Sequence, residues 1–308
     1  MELIRGLHNL KNQTGCALTI GNFDGVHIGH QEIIKKLVST AKNLNVPSLV
    51  VSFSVTPESF FGRPKARLSS FRDKHLYLKS LGVDKHLLIR FNGEFSQISA
   101  QSFIEDVLVK KIKVKYCYVG DDFRFGKDRL GDCDMLQEHS IGHGFTVERV
   151  ASVSIDNKRV SSSAIRKLLS LGDFQTAEKL LGRPFAISGR VAHGDKQGRT
   201  IGFPTANISI RRNLSPVLGV FSVLIKINNI NYKGVCNVGK RPTLGGLKVL
   251  LEVFIFDFNQ EIYGNRVTVF FKQKCREEIK FNSLEELKNQ IKEDVKDSKQ
   301  YFKDARIN

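Results

Sequence analysis

Apolar positions recur along this chain with two different periods, and the change from one to the other divides it. In residues 16–54 a short apolar run, CALTI, is followed by Ile33, Ile34, Leu37, Val38, Ala41 and Leu44 at helical spacing, then by the continuous β-branched run VPSLVVSFS. Buried strand, amphipathic helix and buried strand in that order predict a βαβ unit on a parallel sheet. The pattern repeats as a helix around 71–81, a strand VDKHLLIRF, a helix from Ser99 to Lys110, and strands in KYCYVG and GHGFTVERV. The first half therefore reads as α/β and doubly wound.

From residue 160 the character is helical. SSSAIRKLLSLG and DFQTAEKLLG predict two short helices, each closed by a glycine, Gly172 and Gly182, at the C′ position. Pro184 then marks a stop. After 185 short alternating strands take over: AISGRV, VFSVLIKI, INYKGVCNV, LKVLLEVFIFDF and NRVTVFFKQK. Strands spaced in this way suggest a closed antiparallel barrel. A last helix starts at Ser283, with a Ser-x-x-Glu capping box to Glu286 and an apolar face of Leu284, Leu287, Ile291 and Val295. The boundary falls near 183, giving domains 1–182 and 183–308.

Composition narrows the classes open to the chain. Its 308 residues are 41% hydrophobic and 26% charged, a globular balance. No run approaches the roughly 18 apolar residues of a membrane span. The start, MELIRGLHNLKNQTG, has neither a long apolar core nor a small-residue cleavage site. A cytoplasmic protein with no membrane partner is expected. Cys16, Cys117, Cys133, Cys236 and Cys275 are scattered with no CxxC pair, which reads as reduced, buried thiols rather than disulfides or a zinc site.

The net charge of +17, from 48 Lys+Arg against 31 Asp+Glu, suits nucleic acid, an anionic surface or small polyphosphates. The charge is dispersed, however. Its densest cluster, Lys110-Lys111-Ile112-Lys113-Val114-Lys115, reads as a solvated helix end running into a strand. With no recognition-helix motif, zinc spacing or dense basic stripe, no nucleic-acid partner is expected.

Candidate chemistry begins at GNFDGVHIGH (21–30), directly after the first buried strand. A parallel sheet binds ligands at the carboxyl ends of its strands, where helix N-termini offer N–H groups to anions. Gly21 and Gly25 allow close approach of a phosphate, and Gly29 lets the helix pack near a ligand. His27 and His30 stand about one turn apart and can face one phosphate. A metal pair more often has i, i+4 spacing and needs a third ligand. A turn-and-cap role for the histidines also remains open, but phosphate contact fits the position best.

In the second half, GRVAHGDKQGRTIGFPTANI (189–208) carries Gly194, Gly198 and Gly202, which permit a loop that closes over phosphates. Thr205 and Asn207 alternate, so on a strand they face one side and offer oxygens suited to Mg²⁺. Glu252 interrupts an apolar strand, and a carboxylate in that setting needs a partner or a task.

His27-Ile28-Gly29-His30 is the HIGH form of the HxGH signature of nucleotidyltransferases, and GNFDGVHIGH resembles the opening motif of bacterial bifunctional riboflavin kinase/FAD synthetases. VGDDFRFGK (119–127) is similar to that family's GxDFxFG element. SSSAIRKLLSLGDFQTAEKLLGRPF (161–185) is similar to its SSTxIRxxLxxGDxxxAxxLLGRPF segment, with Ser163 where Thr is usual. The resemblance implies a Rossmann-like FMN adenylyltransferase domain. There Gly21, Asn22, Phe23, Asp24, His27, His30, Ser162, Ser163 and Arg166 would bind ATP, with His27 and His30 catalytic. Phe123, Arg124 and Phe125 would present aromatic and cationic surface to flavin or adenine. SFSVTP (52–57) departs from the family's TFxPHP-like segment by lacking its histidine.

The second half resembles the riboflavin kinase module, GxVxHGxxxGRxxGFPTAN, with support from GVFSV, GVCNVGKRPT (234–243) and LEVFIFDFNQEIYG (251–264). The last is similar to VExHxxDFxxDLYG. Glu252 would then be the base for the riboflavin 5′-hydroxyl. Gly189, His193, Gly194, Gly198, Thr205 and Asn207 would bind ATP, with Thr205 and Asn207 also holding Mg²⁺. KCREEIKFNSLEEL (274–287) resembles the segment that closes over the flavin, with Arg276 as a contact. Gln197, Phe254 and Glu261 depart from the usual Arg, His and Asp. The implied partners are riboflavin, FMN and ATP as co-substrate, with no tightly bound prosthetic group, in a monomer or weak oligomer.

Overall fold

The structure, a computed structural model, describes residues 1–11, 14–194, 202–210, 212–243 and 246–306. It falls into two compact units: Met1–Lys65 with Phe71–Ser162, and Ala66–Ser70 with Ser163–Asn308.

The first unit is built on a parallel sheet of β1 (Glu2–Arg5), β2 (Cys16–Ile20), β3 (Ser48–Phe53), β4 (Lys85–Ile89), β5 (Val114–Gly120) and β6 (Thr146–Val150), in the order β1-β4-β3-β2-β5-β6. Every residue of β2 is buried, as its uninterrupted apolar run requires of a central strand covered on both faces. Helix α1 (Ile28–Asn43) buries Ile34, Leu37 and Ala41 at the predicted spacing, against Ala17, Val50 and Tyr118 on one face of the sheet. On the other face, Phe103, Ile104, Leu108 and Leu136 pack with Leu18, Val51 and Cys117. Each such fully buried side chain stabilises the fold by roughly 1.5–3 kcal/mol relative to exposure.

The helix expected around 71–81 is α3 (Phe71–Ser80), with the short α2 (Pro57–Phe60) before it and α4 (Gly93–Ser96) after it in the chain. The predicted helix from Ser99 begins with Ser99 as cap and α5 (Ala100–Ser102), then runs on as π-wound turns over Phe103–Ile112. It ends at Lys113, whose φ of 57° turns the chain into β5. Several elements escape the periodic pattern. β1 is too short to show a period. Helix α6 (Cys133–His143) buries only Cys133, Leu136 and Ser140. The hairpin of β7 (Ser154–Ile155) and β8 (Lys158–Arg159) turns on Asp156 and Asn157, both at positive φ.

In the second unit, α7 (Ser162–Leu171) and α8 (Phe174–Leu181) end where predicted, with Gly172 and Gly182 at φ of 81° and 71°. The barrel is closed and antiparallel, in the order β10-β13-β12-β11-β14-β9. Its strands are β9 (Ala186–Ala192), β10 (Thr205–Ser209), β11 (Gly219–Ile227), β12 (Ile230–Thr243), β13 (Gly246–Ile255) and β14 (Arg266–Arg276). Ile187, Phe221, Val223, Val238, Val253, Val269 and Phe271 fill the interior. Phe174 of α8 packs on Phe221 and Phe271.

The C-terminal helix Leu284–Asp304 is capped by Ser283, whose Oγ accepts from Glu286 N, while Glu286 Oε2 accepts from Asn282 N. Its expected apolar face holds at Leu287, Ile291 and Val295, which are half-buried, and fails at Leu284. Leu284 is 68% exposed, and the most buried residues of that face are Asp294, Ser298 and Phe302, with Val295 packed beside them. The reason is polar pairing. Asp294 takes two hydrogen bonds from Arg276, and Ser298 Oγ donates to Ser222 Oγ at 2.7 Å.

Candidate active sites

In the first unit the strand order reverses at β2, whose neighbours are β3 on one side and β5 on the other. A crevice at that switch point, outside the carboxyl ends of the strands, is where open α/β sheets bind ligands. GNFDGVHIGH leaves β2 there. Its turn is tight: Phe23, Gly25 and Val26 all have positive φ, at 45°, 80° and 41°. Two of them carry side chains, and burial of Phe23 and Val26 in the core offsets the cost of that conformation.

His27 is the N-cap of α1, and its Nδ1 accepts from the His30 backbone N–H at 3.4 Å. An accepting Nδ1 places the ring proton on Nε2. The His27 and His30 rings stack with centroids 3.6 Å apart and planes 15° from parallel, and Phe23 backs His30 at 5.0 Å. His27 is only 7% exposed. The cap and the paired imidazoles therefore coexist. Two ring edges lie side by side at the positive end of a 16-residue helix, a setting that favours a phosphate chain. A Cβ on Gly29 would lie 3.4 Å from the His27 ring, an ordinary contact, so the ring packs closely over this glycine.

Asn22 Oδ1 is buried without a hydrogen-bond partner among the described residues, while Asn22 Nδ2 donates to Glu58 Oε2 at 3.4 Å. Lys74 Nζ donates to Asn22 O at 2.8 Å, placing a cation beside the loop. Ser162 Oγ donates to Asp24 O at 2.9 Å, a contact within the first unit. Ser163 and Arg166 fall in the second unit, where Arg166 Nε donates to Ala66 O at 2.6 Å. Lys74 and Glu58 were not among the expected residues. Both sit in polar helices that no motif singles out.

In VGDDFRFGK, Phe125 is 6% exposed and packs on Phe103 and Phe123. Phe123 is half-buried, while Arg124 is exposed and paired with Asp132 at 2.8 Å. Asp132 also caps α6 through Met135 N. In SFSVTP the place of the family's histidine is held by Thr56, which caps the short helix Pro57–Phe60, while Ser52 at the start of the segment has its Oγ 2.7 Å from His86 Nε2.

In the barrel, the register sets Asn207 of β10 opposite Glu252 of β13, and Glu252 opposite Asn237 of β12. Directly opposed residues project on the same side, so three polar side chains form one row. All three are half-buried, on the face opposite buried Leu251 and Val253. Thr205, opposite Phe254, lies on the same side and is exposed. A Cβ on Gly194 would collide with the Asn207 amide, so this glycine makes room for it.

The His193 ring stacks on Tyr263 with centroids 4.0 Å apart, joining the glycine-rich segment to the DFNQEIYG motif. Phe254 takes Phe203 edge-on at 5.3 Å, an aromatic contact in place of the usual histidine. Gly198 and the Gln197 departure lie outside the described residues, and Glu261 is exposed. Asn237 was missed. Its signal was a polar residue at an alternating position in the apolar run GVCNV.

Arg276 Nε and Nη2 donate to Asp294 Oδ1 and Oδ2 at 2.8 and 2.7 Å, and Nη1 donates to Glu277 O at 3.0 Å. Phe281 lies 5.8 Å from the guanidinium. Thr205 Oγ1 and Asn207 Oδ1 are hard oxygen donors at one end of the polar row, in a cradle kept open at Gly194, and they fit a Mg²⁺ that also holds phosphates.

Comparison with known proteins agrees with both halves. The FAD synthetase family model matches residues 9–164, and the riboflavin kinase family model matches residues 181–302. The chain is 48% identical to a bifunctional riboflavin kinase/FMN adenylyltransferase of Haemophilus influenzae, covering 98% of this chain and 99% of the relative. It is 45% identical to the Escherichia coli K12 protein of the same description, covering 98% of each. A solved structure described as a macrolide-efflux protein from Streptococcus pneumoniae has a TM-score of 0.79 at 31% identity, covering 96% of this chain and 97% of that one. Among the described residues, no helix is long and apolar enough to cross a membrane. Two family matches in the expected order, with relatives alike over almost their whole length, make the chain a member of the bifunctional riboflavin kinase/FMN adenylyltransferase family.

Proposed function

We propose that the chain phosphorylates riboflavin with ATP to give FMN and ADP, then adenylylates FMN with a second ATP to give FAD and pyrophosphate. The polar row Asn207–Glu252–Asn237 in an otherwise apolar barrel carries this reading, because it supplies a base beside oxygen ligands. Glu252 takes the proton of the riboflavin 5′-hydroxyl as that oxygen attacks the γ-phosphorus, and ADP leaves. Asn237 holds the carboxylate from the other side. Thr205 and Asn207 would hold Mg²⁺, which would neutralise charge on the phosphates. His193 and Gly194, with Gly189 and Gly198, line the ATP-binding segment, and Arg276 stands by the flavin.

In the first half, an oxygen of the FMN phosphate attacks the α-phosphorus of ATP and pyrophosphate leaves. His27 and His30 donate ring N–H groups to the phosphate oxygens as charge shifts onto the leaving group. Gly21, Asn22, Phe23 and Asp24 form the turn that receives the nucleotide, with Ser162, Ser163 and Arg166 taking its outer phosphates. Phe123 offers a ring face to the flavin, with Phe125 behind it and Arg124 at its edge. We assign residues 1–182 to adenylyl transfer and 183–308 to phosphorylation. Compactness groups α7 with the barrel, but Ser162, Ser163 and Arg166 at its start serve the first reaction.

Mg²⁺ dependence, a monomeric or weakly associated state and a cytoplasmic location complete the proposal. Chromatography of a mixture of riboflavin, ATP and Mg²⁺ tests it. FMN should appear first and FAD after it, and a mixture yielding neither would refute the assignment.

A further inference from the structure

Away from both sites, His139 and His143 stand one turn apart on α6, and Glu105 reaches them from the π-wound helix alongside. One ligand atom from each residue lies within 4.8 Å of the others. The two imidazole planes are within 9° of parallel with centroids 6.4 Å apart, so the rings stand side by side without touching. Two histidines at i, i+4 on a helix are spaced to share one ion, and a carboxylate from a second helix is a suitable third ligand.

Geometry and charge both allow binding. Donors around a tetrahedral ion at about 2.1 Å lie roughly 3.4 Å apart. The closure required is small, and His143 is exposed and able to change rotamer. Glu105 Oε1 accepts from Gln101 Nε2 at 2.9 Å, which orients the carboxylate from behind. His143 also lies in the last turn of α6, where the carbonyl end of the helix favours a cation. Two imidazoles and one carboxylate select a borderline transition metal over Mg²⁺ or Ca²⁺.

We propose that Glu105, His139 and His143 bind one divalent transition-metal ion of the Zn²⁺ class, with water completing the shell. The ion ties α6 to the π-wound helix. These helices also carry the Phe123 loop: Lys127 N donates to Ile98 O at 2.7 Å, Gly126 lies against Ala100, and Asp132 caps α6. The site is therefore a brace for the frame of that loop and takes no part in either reaction.

The test uses the untagged, full-length protein, stripped of metal and titrated with Zn²⁺ by calorimetry and with Co²⁺ by visible absorption. Groups behind metal ligands typically change affinity by roughly 10- to 100-fold, so loss of a ligand itself should cost at least about tenfold. His139→Ala, His143→Ala and Glu105→Gln should each show that loss. Zn²⁺ should raise the Tm of the wild type but not that of the doubly substituted His139→Ala/His143→Ala protein. Circular dichroism of the variants checks that they fold. A wild type with no saturable site, or variants that bind as the wild type does, would overturn the proposal.

Discussion

Asn207 and Glu252 stand directly opposite one another on adjacent antiparallel strands, and Asn237 stands opposite Glu252 on its other side. The barrel thus carries its candidate base between two amides, with side chains set by strand register rather than by a loop. Glu252→Gln keeps the shape and removes the base. FMN formation from riboflavin should fall by about 10²–10⁴-fold, while FAD formation from supplied FMN stays at the wild-type rate. Loss of both activities in a folded protein would contradict the division of labour.

Gly194 tests the same row from its edge. Its added methyl in Gly194→Ala would displace the Asn207 amide. Misplacement of about 1 Å can cost up to about 10²-fold, so riboflavin phosphorylation should drop while FMN adenylylation is retained. Parallel rate measurements on both half-reactions give the answer.

His27 has two duties, which substitution separates. Asn is a good N-cap acceptor, whereas Ala is not. His27→Asn should keep stability in urea titrations and His27→Ala should lose about 1 kcal/mol. Both should reduce FAD formation by about 10²-fold or more, since both remove the ring. His30→Ala should abolish FAD formation and spare FMN formation. A His27→Asn protein with wild-type adenylylation would leave the ring with only its capping role.

Acid stability should report on His86. This imidazole is fully buried between Ser52 and His75, and burial pushes its pKa from 6.5 down to about 3, with Lys74 and His75 adding to the effect. The pKa of His75 is lowered as well, chiefly by burial. The unfolded chain therefore binds protons below pH 6.5 that the folded chain refuses until about pH 3. Stability is complete above pH 6.5 and is lost as the pH falls through that window. Between pH 7 and pH 5 the loss from His86 should be about 2 kcal/mol. Urea midpoints at the two pH values measure it, and His86→Gln should flatten the difference.

The parallel sheet and the barrel were legible because buried strands are continuous or alternating, and α1 showed its period through Ile34, Leu37 and Ala41. Gly172 and Gly182 marked helix ends correctly because only a residue tolerant of positive φ suits those positions. Helix α6 was illegible because its buried face includes Ser140 and only a few apolar residues. The C-terminal helix was legible only in part for a related reason. Its buried face is organised by Asp294, 5% exposed, whose partner Arg276 lies on β14 and so carries no local signal. The candidate sites were visible as motifs, whereas Lys74, Glu58 and Asn237 join them only through tertiary pairing.

The ring of barrel strands is closed by β9 and β14, where Gly189 pairs with Val267 and Ile187 with Val269. This makes the order of synthesis matter. Until Arg266–Arg276 has left the ribosome, Ala186–Ala192 offers one row of backbone N–H and C=O groups with no strand to receive it. A message truncated before that point encodes an open edge ready to pair with another chain, so premature stops in the second half should yield aggregates instead of a shorter working enzyme.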